Sequence, residues 1–276
     1  MDLPYTNRMS TGTLGLIGAG RLASALVQGW VAADPACAER IFATDRVAGV
    51  AEALAAAHGI RTAADPAAVA ASADLVILLV KPQDIATAAA AIGLALGDGA
   101  CVASAAAGVE LAGIRAALGT GAPLARFMPN IPVAVGGGVS AVCGDPAAVE
   151  RLVPWLDAVG SAVAMDESMF DAATAISGSG PGLYAYVIEQ FEAAARTLGF
   201  GPDEARRLAV DTFAGTGRYL AETGESPAAL RERVTSPGGT TAAGLAQLEA
   251  HGLGAAVEAA AGAARDRGRE LREGGA

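Results

Sequence analysis

The sequence predicts an α/β chain: a parallel sheet with helices on both faces, followed by an all-helical second part. Three observations carry this. Short apolar runs alternate with helical segments until about Asp166, the pattern of a parallel sheet with crossover helices. From Glu167 onward the pattern is helical, with no convincing strand. Of 276 residues, 53% are hydrophobic and 17% charged, enough apolar material to pack one large domain or two modest ones. The expected organisation is a disordered leader over 1–12, an α/β domain over 13–166 and a helical domain over 167–276.

Each element has a local reason. Leu14 to Ile17 is a short apolar run, Gly18-Ala19-Gly20 a turn, and Leu22 to Ala32 a helix. Arg40 to Asp45 reads as a second strand, and Val47 to His58 as a helix ended by Gly59. Leu75 to Val80 and Cys101 to Ala105 read as buried strands, closed by Lys81-Pro82 and by Gly108. Pro132 to Gly144 is glycine-rich and reads as a strand pair, or as a strand and a bend. Helices are expected over Ser168 to Ile176, Gly182 to Leu198, Pro202 to Glu222, Pro227 to Val234, Thr240 to His251 and Leu253 to Arg272. About 110 helical residues bury little surface alone, so a partner subunit is expected to cover much of them.

Charge and inventory exclude several classes. A formal net charge of −10 repels nucleic acid and anionic membrane. The polar N-terminus lacks the apolar core of a secretion signal, and the most apolar runs are too short to span a bilayer. A soluble cytoplasmic protein is expected, with a small-molecule substrate. Cys37, Cys101 and Cys143 are scattered, and His58 and His251 are the only histidines. A disulfide framework, a metal centre and a histidine triad are therefore not expected.

Gly18-Ala19-Gly20-Arg21-Leu22-Ala23 matches G-x-G-x-x-A between a strand and a helix, which indicates a Rossmann-like dinucleotide-binding domain. The glycines allow a tight turn and let the backbone approach a pyrophosphate at a helix N-terminus. A merely tight strand–helix crossing is the plainer reading, but it needs a small residue rather than two glycines. At the next strand tip, Asp45 would favour the free ribose hydroxyl of NAD(H), and Arg46 the 2′-phosphate of NADP(H). Both cofactors stay open, as does Arg46 as an ordinary surface residue. Val80, Lys81 and Pro82 follow a strand at its carboxyl end, where ligands sit in such sheets. Lys81 there either touches the cofactor or lies in solvent.

The stretch VTSPGGTTAAGL (Val234 to Leu245) holds more polar and flexible residues than a helix start requires. As a cap, Thr240 or Thr241 begins the helix and Gly238-Gly239 supply the bend. As an anion receptor, Pro237 lacks an N–H and the glycines leave backbone donors uncovered. The amides of Gly239, Thr240 and Thr241 are then free for a carboxylate, with Ser236 adding a hydroxyl. Ser177-Gly178-Ser179-Gly180-Pro181 reads as a kink with Ser179 as N-cap. Tyr184, Tyr186 and Glu189 beyond it read as packing or interface residues.

Four segments in this order, VKPQ (Val80 to Gln83), RFMPNIPVAVG (Arg126 to Gly136), SGSGPGLYAYVIE (Ser177 to Glu189) and VTSPGGTTAAGL, resemble the pyrroline-5-carboxylate reductase family. ASAAAGV (Ala103 to Val109) resembles that family's strand and turn beside the nicotinamide. The resemblance implies reduction of 1-pyrroline-5-carboxylate to L-proline by NADP(H) or NAD(H). It implies that Gly18, Ala19, Gly20, Arg21 and Leu22 hold the pyrophosphate, and that Val80, Lys81, Pro82, Ala106, Ala107 and Gly108 line the nicotinamide half. Met128, Pro129 and Asn130 would form the wall between cofactor and substrate. Ser236, Pro237, Gly238, Gly239 and Thr240 would take the carboxylate, with the hydroxyl of Thr241 beside the ring nitrogen as the catalytic group. It also implies a homodimer through intertwined helical domains, assembled into decamers in many members. Two departures stand out: Arg21-Leu22 where the family often has Asn-Met, and Asp65-Pro66 where it often has an asparagine. Another imine or cofactor-recycling reductase, and a non-catalytic dinucleotide-binding protein, remain the rival readings.

Overall fold

The computed structural model describes residues 11–272. The leader expected over 1–12 falls outside the described residues except for its last two. The chain forms two compact units, residues 11–179 with 264–272, and Gly180–Ala263.

In the first unit the strands are β1 (Leu14–Ile17), β2 (Ile41–Thr44), β3 (Arg61–Thr62), β4 (Leu75–Leu78), β5 (Cys101–Ser104), β6 (Leu124–Met128), β7 (Gly138–Gly144) and β8 (Gly160–Ala164). The helices are α1 (Arg21–Ala33), α2 (Val50–His58), α3 (Pro66–Ser72), α4 (Ile85–Gly93), α5 (Leu111–Leu118), α6 (Pro146–Asp157) and the short α7 (Phe170–Ala173). The strands make one eight-stranded sheet in the order β3-β2-β1-β4-β5-β6-β7-β8. Successive residues of a strand face opposite sides, and both sides are covered. Leu14, Leu16, Leu75 and Ile77 join a core with Trp30, Leu54 and Trp155, from α1, α2 and α6. Ile17, Val76 and Leu78 join a second core with Val69, Ile85, Ile92 and Ile114, from α3, α4 and α5. Trp30 and Trp155 meet edge to face at 5.4 Å, and the Trp30 indole N–H donates to the Trp155 carbonyl at 2.6 Å.

Three features differ from the sequence expectation. The sheet is parallel except at β6 and β7, which run antiparallel. A 3₁₀ turn, Ile131–Val135, and the left-handed Gly136 connect them, too short a link for the crossover that parallel pairing needs. Pro132 to Gly144 is thus a bend and one strand, the second of its two readings, and not a strand pair. β3, β6 and β8 carry no clear period-two signal in the sequence: β3 is only two residues long, and β8 is small-residue-rich. Finally, Ser179 is helical (φ −81°, ψ −21°) rather than an extended N-cap. The segment Thr174–Gly178 is a π-helical turn, with Ser179 N–H donating to the Thr174 carbonyl at 2.8 Å, so α7 passes through a bulge into the next helix.

The second unit contains α8 (Gly180–Thr197), α9 (Pro202–Thr223), α10 (Pro227–Arg233), α11 (Thr240–Ala250) and the start of α12 (Leu253–Arg272). α8 packs on α9, with Tyr184 and Phe213 rings 5.9 Å apart. Ser226 caps α10, its hydroxyl accepting from Ala229 N–H at 3.2 Å. Much apolar surface stays uncovered, including Tyr186 at 63% and Phe191 at 57% exposure.

Candidate active site

The carboxyl ends of β2, β1, β4, β5 and β6 share one edge of the sheet, because these strands are adjacent and parallel. That edge brings together Asp45-Arg46, Gly18 to Leu22, Val80 to Pro82, Ala106 to Gly108 and Met128 to Asn130. Gly18 has φ +104°, and its N–H donates to the Thr44 carbonyl at 2.9 Å. A Cβ there would stand 2.8 Å from the Leu79 carbonyl oxygen, so the position demands glycine on both counts. Above Gly20 the opposite holds: a Cβ would meet nothing within 4 Å. Gly20 is the extended N-cap of α1 and offers no side chain to the amides of Arg21, Leu22 and Ala23. An open space over uncapped amides at a helix start fits a pyrophosphate.

The β2 tip is now resolved. Asp45 is committed to the backbone: one oxygen accepts from Ala19 N–H at 2.8 Å, the other from Val47 N–H at 2.9 Å. The carboxylate pins the glycine turn to the next loop. Arg46 stays outside, its side chain 70% exposed, and bonds the Asp84 carboxylate at 2.8 Å. Asp84, at the end of a 3₁₀ turn Pro82–Asp84 beyond β4, was not among the sequence-derived candidates. No sequence spacing links it to Arg46, and only the strand order brings them together.

On the β6 side Asn130 is tied at both ends of its amide. Its oxygen accepts from Val139 N–H at 2.9 Å, and its nitrogen donates to the Ser177 carbonyl at 3.0 Å. Expected in the wall between cofactor and substrate, its side chain also fastens the start of β7 to the π-helical turn. The cause lies in the sequence. Pro181 has no N–H to return to the carbonyl four residues earlier, so Ser177 has an acceptor to spare. Met128 reaches the same turn, its Cε 3.7 Å from a Cβ placed on Gly178. Nearby, buried Arg126 is satisfied by Glu167 at 3.0 Å and lies over the Phe170 ring. Glu167 also accepts from Leu111 N–H at 2.8 Å, at the start of α5, whose own N-cap side chain does not cap the helix.

In the second unit, Ser236 to Gly239 form a tight turn with Gly239 N–H donating to the Ser236 carbonyl at 2.9 Å. Pro237 at the second position and Gly238 with φ +72° at the third are what a type II turn requires. This corrects the expected donor set, since Gly239 N–H is consumed by the turn. Gly239 is then the N-cap of α11 with no side-chain cap, so the amides left without an acceptor in the helix are those of Thr240, Thr241 and Ala242. A Cβ on Gly239 would collide with Ser236 Oγ, so the glycine lets that hydroxyl lie beside the helix start.

Among the described residues no group of histidine, cysteine and carboxylate side chains could hold a metal ion. The cysteines are free and buried, and burial pushes the Cys37 and Cys143 thiols up to about 11, the opposite of a nucleophile's tuning. No described helix is long and apolar enough to cross a membrane.

Comparisons with known proteins complete the picture. Residues 167–271 match the model described as "Pyrroline-5-carboxylate reductase dimerisation", and residues 13–108 match "NADP oxidoreductase coenzyme F420-dependent". A pyrroline-5-carboxylate reductase of Methanosarcina acetivorans is 38% identical over 95% of this chain and 99% of its own. The chain belongs to the pyrroline-5-carboxylate reductase family. A solved reductase of this family from Coxiella burnetii superposes with TM-score 0.87 at 31% identity, over 95% of this chain and 99% of that one. The Plasmodium falciparum member, solved with NADP bound, shares the fold with TM-score 0.79 at 23% identity, over 97% and 100% of the two chains. The dimerisation match spans the whole helical unit and the residues that flank it on both sides.

Proposed function

We propose that the chain reduces the C=N bond of 1-pyrroline-5-carboxylate to L-proline with NADP(H), the last step of proline biosynthesis. The observation that carries this reading is a family relationship running through both units, over 95% of the chain. NADP(H) is favoured over NAD(H) because Asp45 is spent on backbone amides while Arg46 is exposed for a 2′-phosphate.

When bound, the reduced nicotinamide supplies the hydride; the protein supplies binding and orientation. The amides of Arg21, Leu22 and Ala23 take the pyrophosphate, with Arg21 adding a cation. Val80, Lys81, Pro82, Ala106, Ala107 and Gly108 border the nicotinamide half, and Met128, Pro129 and Asn130 wall the substrate side. Ser236 and the amides of Thr240, Thr241 and Ala242 take the carboxylate, in a turn shaped by Pro237, Gly238 and Gly239. A carboxylate there gains charge-assisted hydrogen bonds, and about 0.3–1 kcal/mol from the helix dipole. The Thr241 hydroxyl orients the ring nitrogen, and a protonated imine needs no stronger acid. The helical unit dimerises through its exposed apolar side chains, and the dimers are open to decameric assembly. Free, buried cysteines suit a reducing cytoplasm.

The test is NADPH or NADH oxidation on addition of 1-pyrroline-5-carboxylate or a bulkier imine. Turnover of the small carboxylated imine, faster with NADPH, is expected. Preference for the bulkier imine, or binding without turnover, would replace this reading.

A further inference from the structure

The sheet order sets β1 between β2 and β4, and neighbouring strands lie about 4.8 Å apart. The tips of β2 and β4 are therefore roughly 10 Å apart, and the turn of Gly18 to Gly20 rises between them. The Arg46–Asp84 pair at 2.8 Å spans that gap, joining the loop after β2 to the 3₁₀ turn after β4. Arg46 is 70% exposed and Asp84 25%, so the carboxylate is the better anchored partner. Asp45 is fixed by Ala19 and Val47, so it neither holds Arg46 nor swings out to meet a ligand.

Resting on the cofactor reading above, we propose that Asp84 is a specificity-determining residue that restrains the preference for a 2′-phosphorylated cofactor. Its carboxylate neutralises the guanidinium that would receive the 2′-phosphate. An arriving phosphate must either break the pair or settle beside a second anion, and both reduce its net attraction. A ribose with a free 2′-hydroxyl meets no such opposition and can donate to a carboxylate. Asp84 therefore costs affinity selectively, for the phosphorylated ligand alone. Because the pair is exposed, the effect is strongest at low salt.

The test is calorimetric binding of 2′,5′-ADP and of 5′-ADP to the full chain, its Asp84→Asn and Arg46→Ala variants, and the double variant. Asp84→Asn is expected to tighten 2′,5′-ADP by roughly three- to tenfold at low salt, and to change 5′-ADP by less than about twofold. In the Arg46→Ala background overall 2′,5′-ADP affinity should fall, and the gain from Asp84→Asn should shrink to what direct repulsion between the carboxylate and the phosphate accounts for. Weaker or unchanged 2′,5′-ADP binding in Asp84→Asn overturns the proposal, as does an equal change for both ligands. If the unsubstituted chain binds neither nucleotide, the cofactor reading itself falls and this inference with it, a result distinct from an unresponsive Asp84.

Discussion

Two helices begin on a bare glycine, and their supports differ. Gly20 before α1 (φ −73°, ψ −163°) and Gly239 before α11 (φ −78°, ψ 171°) share one extended conformation, and neither makes a side-chain cap. Each leaves the first amides of its helix without a side-chain acceptor. α1, however, buries Ala23, Leu26, Val27 and Trp30, whereas none of the residues of α11 is buried. The turn before α1 is also clamped, by Thr44 to Gly18 and by Asp45 to Ala19. The turn before α11 is held by its own single hydrogen bond and by proline and glycine stereochemistry. One local device is stiffened by a core within its own unit; the other depends on what covers the helical unit in the assembled protein.

The sharpest way to break this comparison is Thr241→Ala, at the less supported start. Because the role proposed for the hydroxyl is at the ring nitrogen rather than in folding, kcat should fall about ten- to hundredfold with a smaller rise in KM. Steady-state kinetics beside a thermal melt check it, and an unchanged kcat in a folded variant removes the role. Next comes Gly18→Ala at the clamped start. Left-handed backbone and the Leu79 carbonyl together should cost about 1–3 kcal/mol and weaken NADPH binding at least tenfold, read by denaturant melts and fluorescence titration. A loss of stability of the same order, without the tenfold loss of cofactor binding, attaches to Asn130→Ala, which strands Val139 N–H and the Ser177 carbonyl. About 1–3 kcal/mol of stability is expected to be lost. An unaltered melting curve would show that this tie is idle.

The smallest effect concerns the frame around the first start. The Asp145 carboxyl is held below its ordinary 3.8, first by the Arg115 hydrogen bond and then by Leu124 N–H. A depressed value adds stability above the unfolded pKa, which is lost as pH falls through the folded one. The pair is partly exposed, so the contribution is modest. The stability gap between the natural chain and Asp145→Asn should shrink in acid; a constant gap from neutral pH to pH 3 would contradict it.

Much of this was legible beforehand. Leu14 to Ile17, the first four residues of Leu75 to Val80 and the long α8, α9 and α12 emerge where apolar period and glycine stops put them. The glycine turn was readable because its chemistry is contiguous. β8 was not, since Gly160–Ala164 is made of small residues whose strand state is fixed by pairing with β7. The Ser177 carbonyl was half legible: Pro181 announces a released acceptor, but nothing in the chain announces Asn130 as its taker.

By itself the sequence determined the elements that depend on neighbours along the chain: periodicity, glycine at positive φ, proline without its N–H, and the family those motifs mark. Tertiary structure decided which polar groups were already spent by distant partners, and local turn closure accounted for one more. Asp45, Asn130 and Gly239 carry donors or acceptors that looked available, and each is satisfied by a partner. For Asp45 and Asn130 strand order or packing supplies it; for Gly239 a turn closes on itself. Hydrogen bonds and ion pairs act over a few ångströms of space, and strand pairing brings residues tens of positions apart, such as Arg46 and Asp84, within that reach.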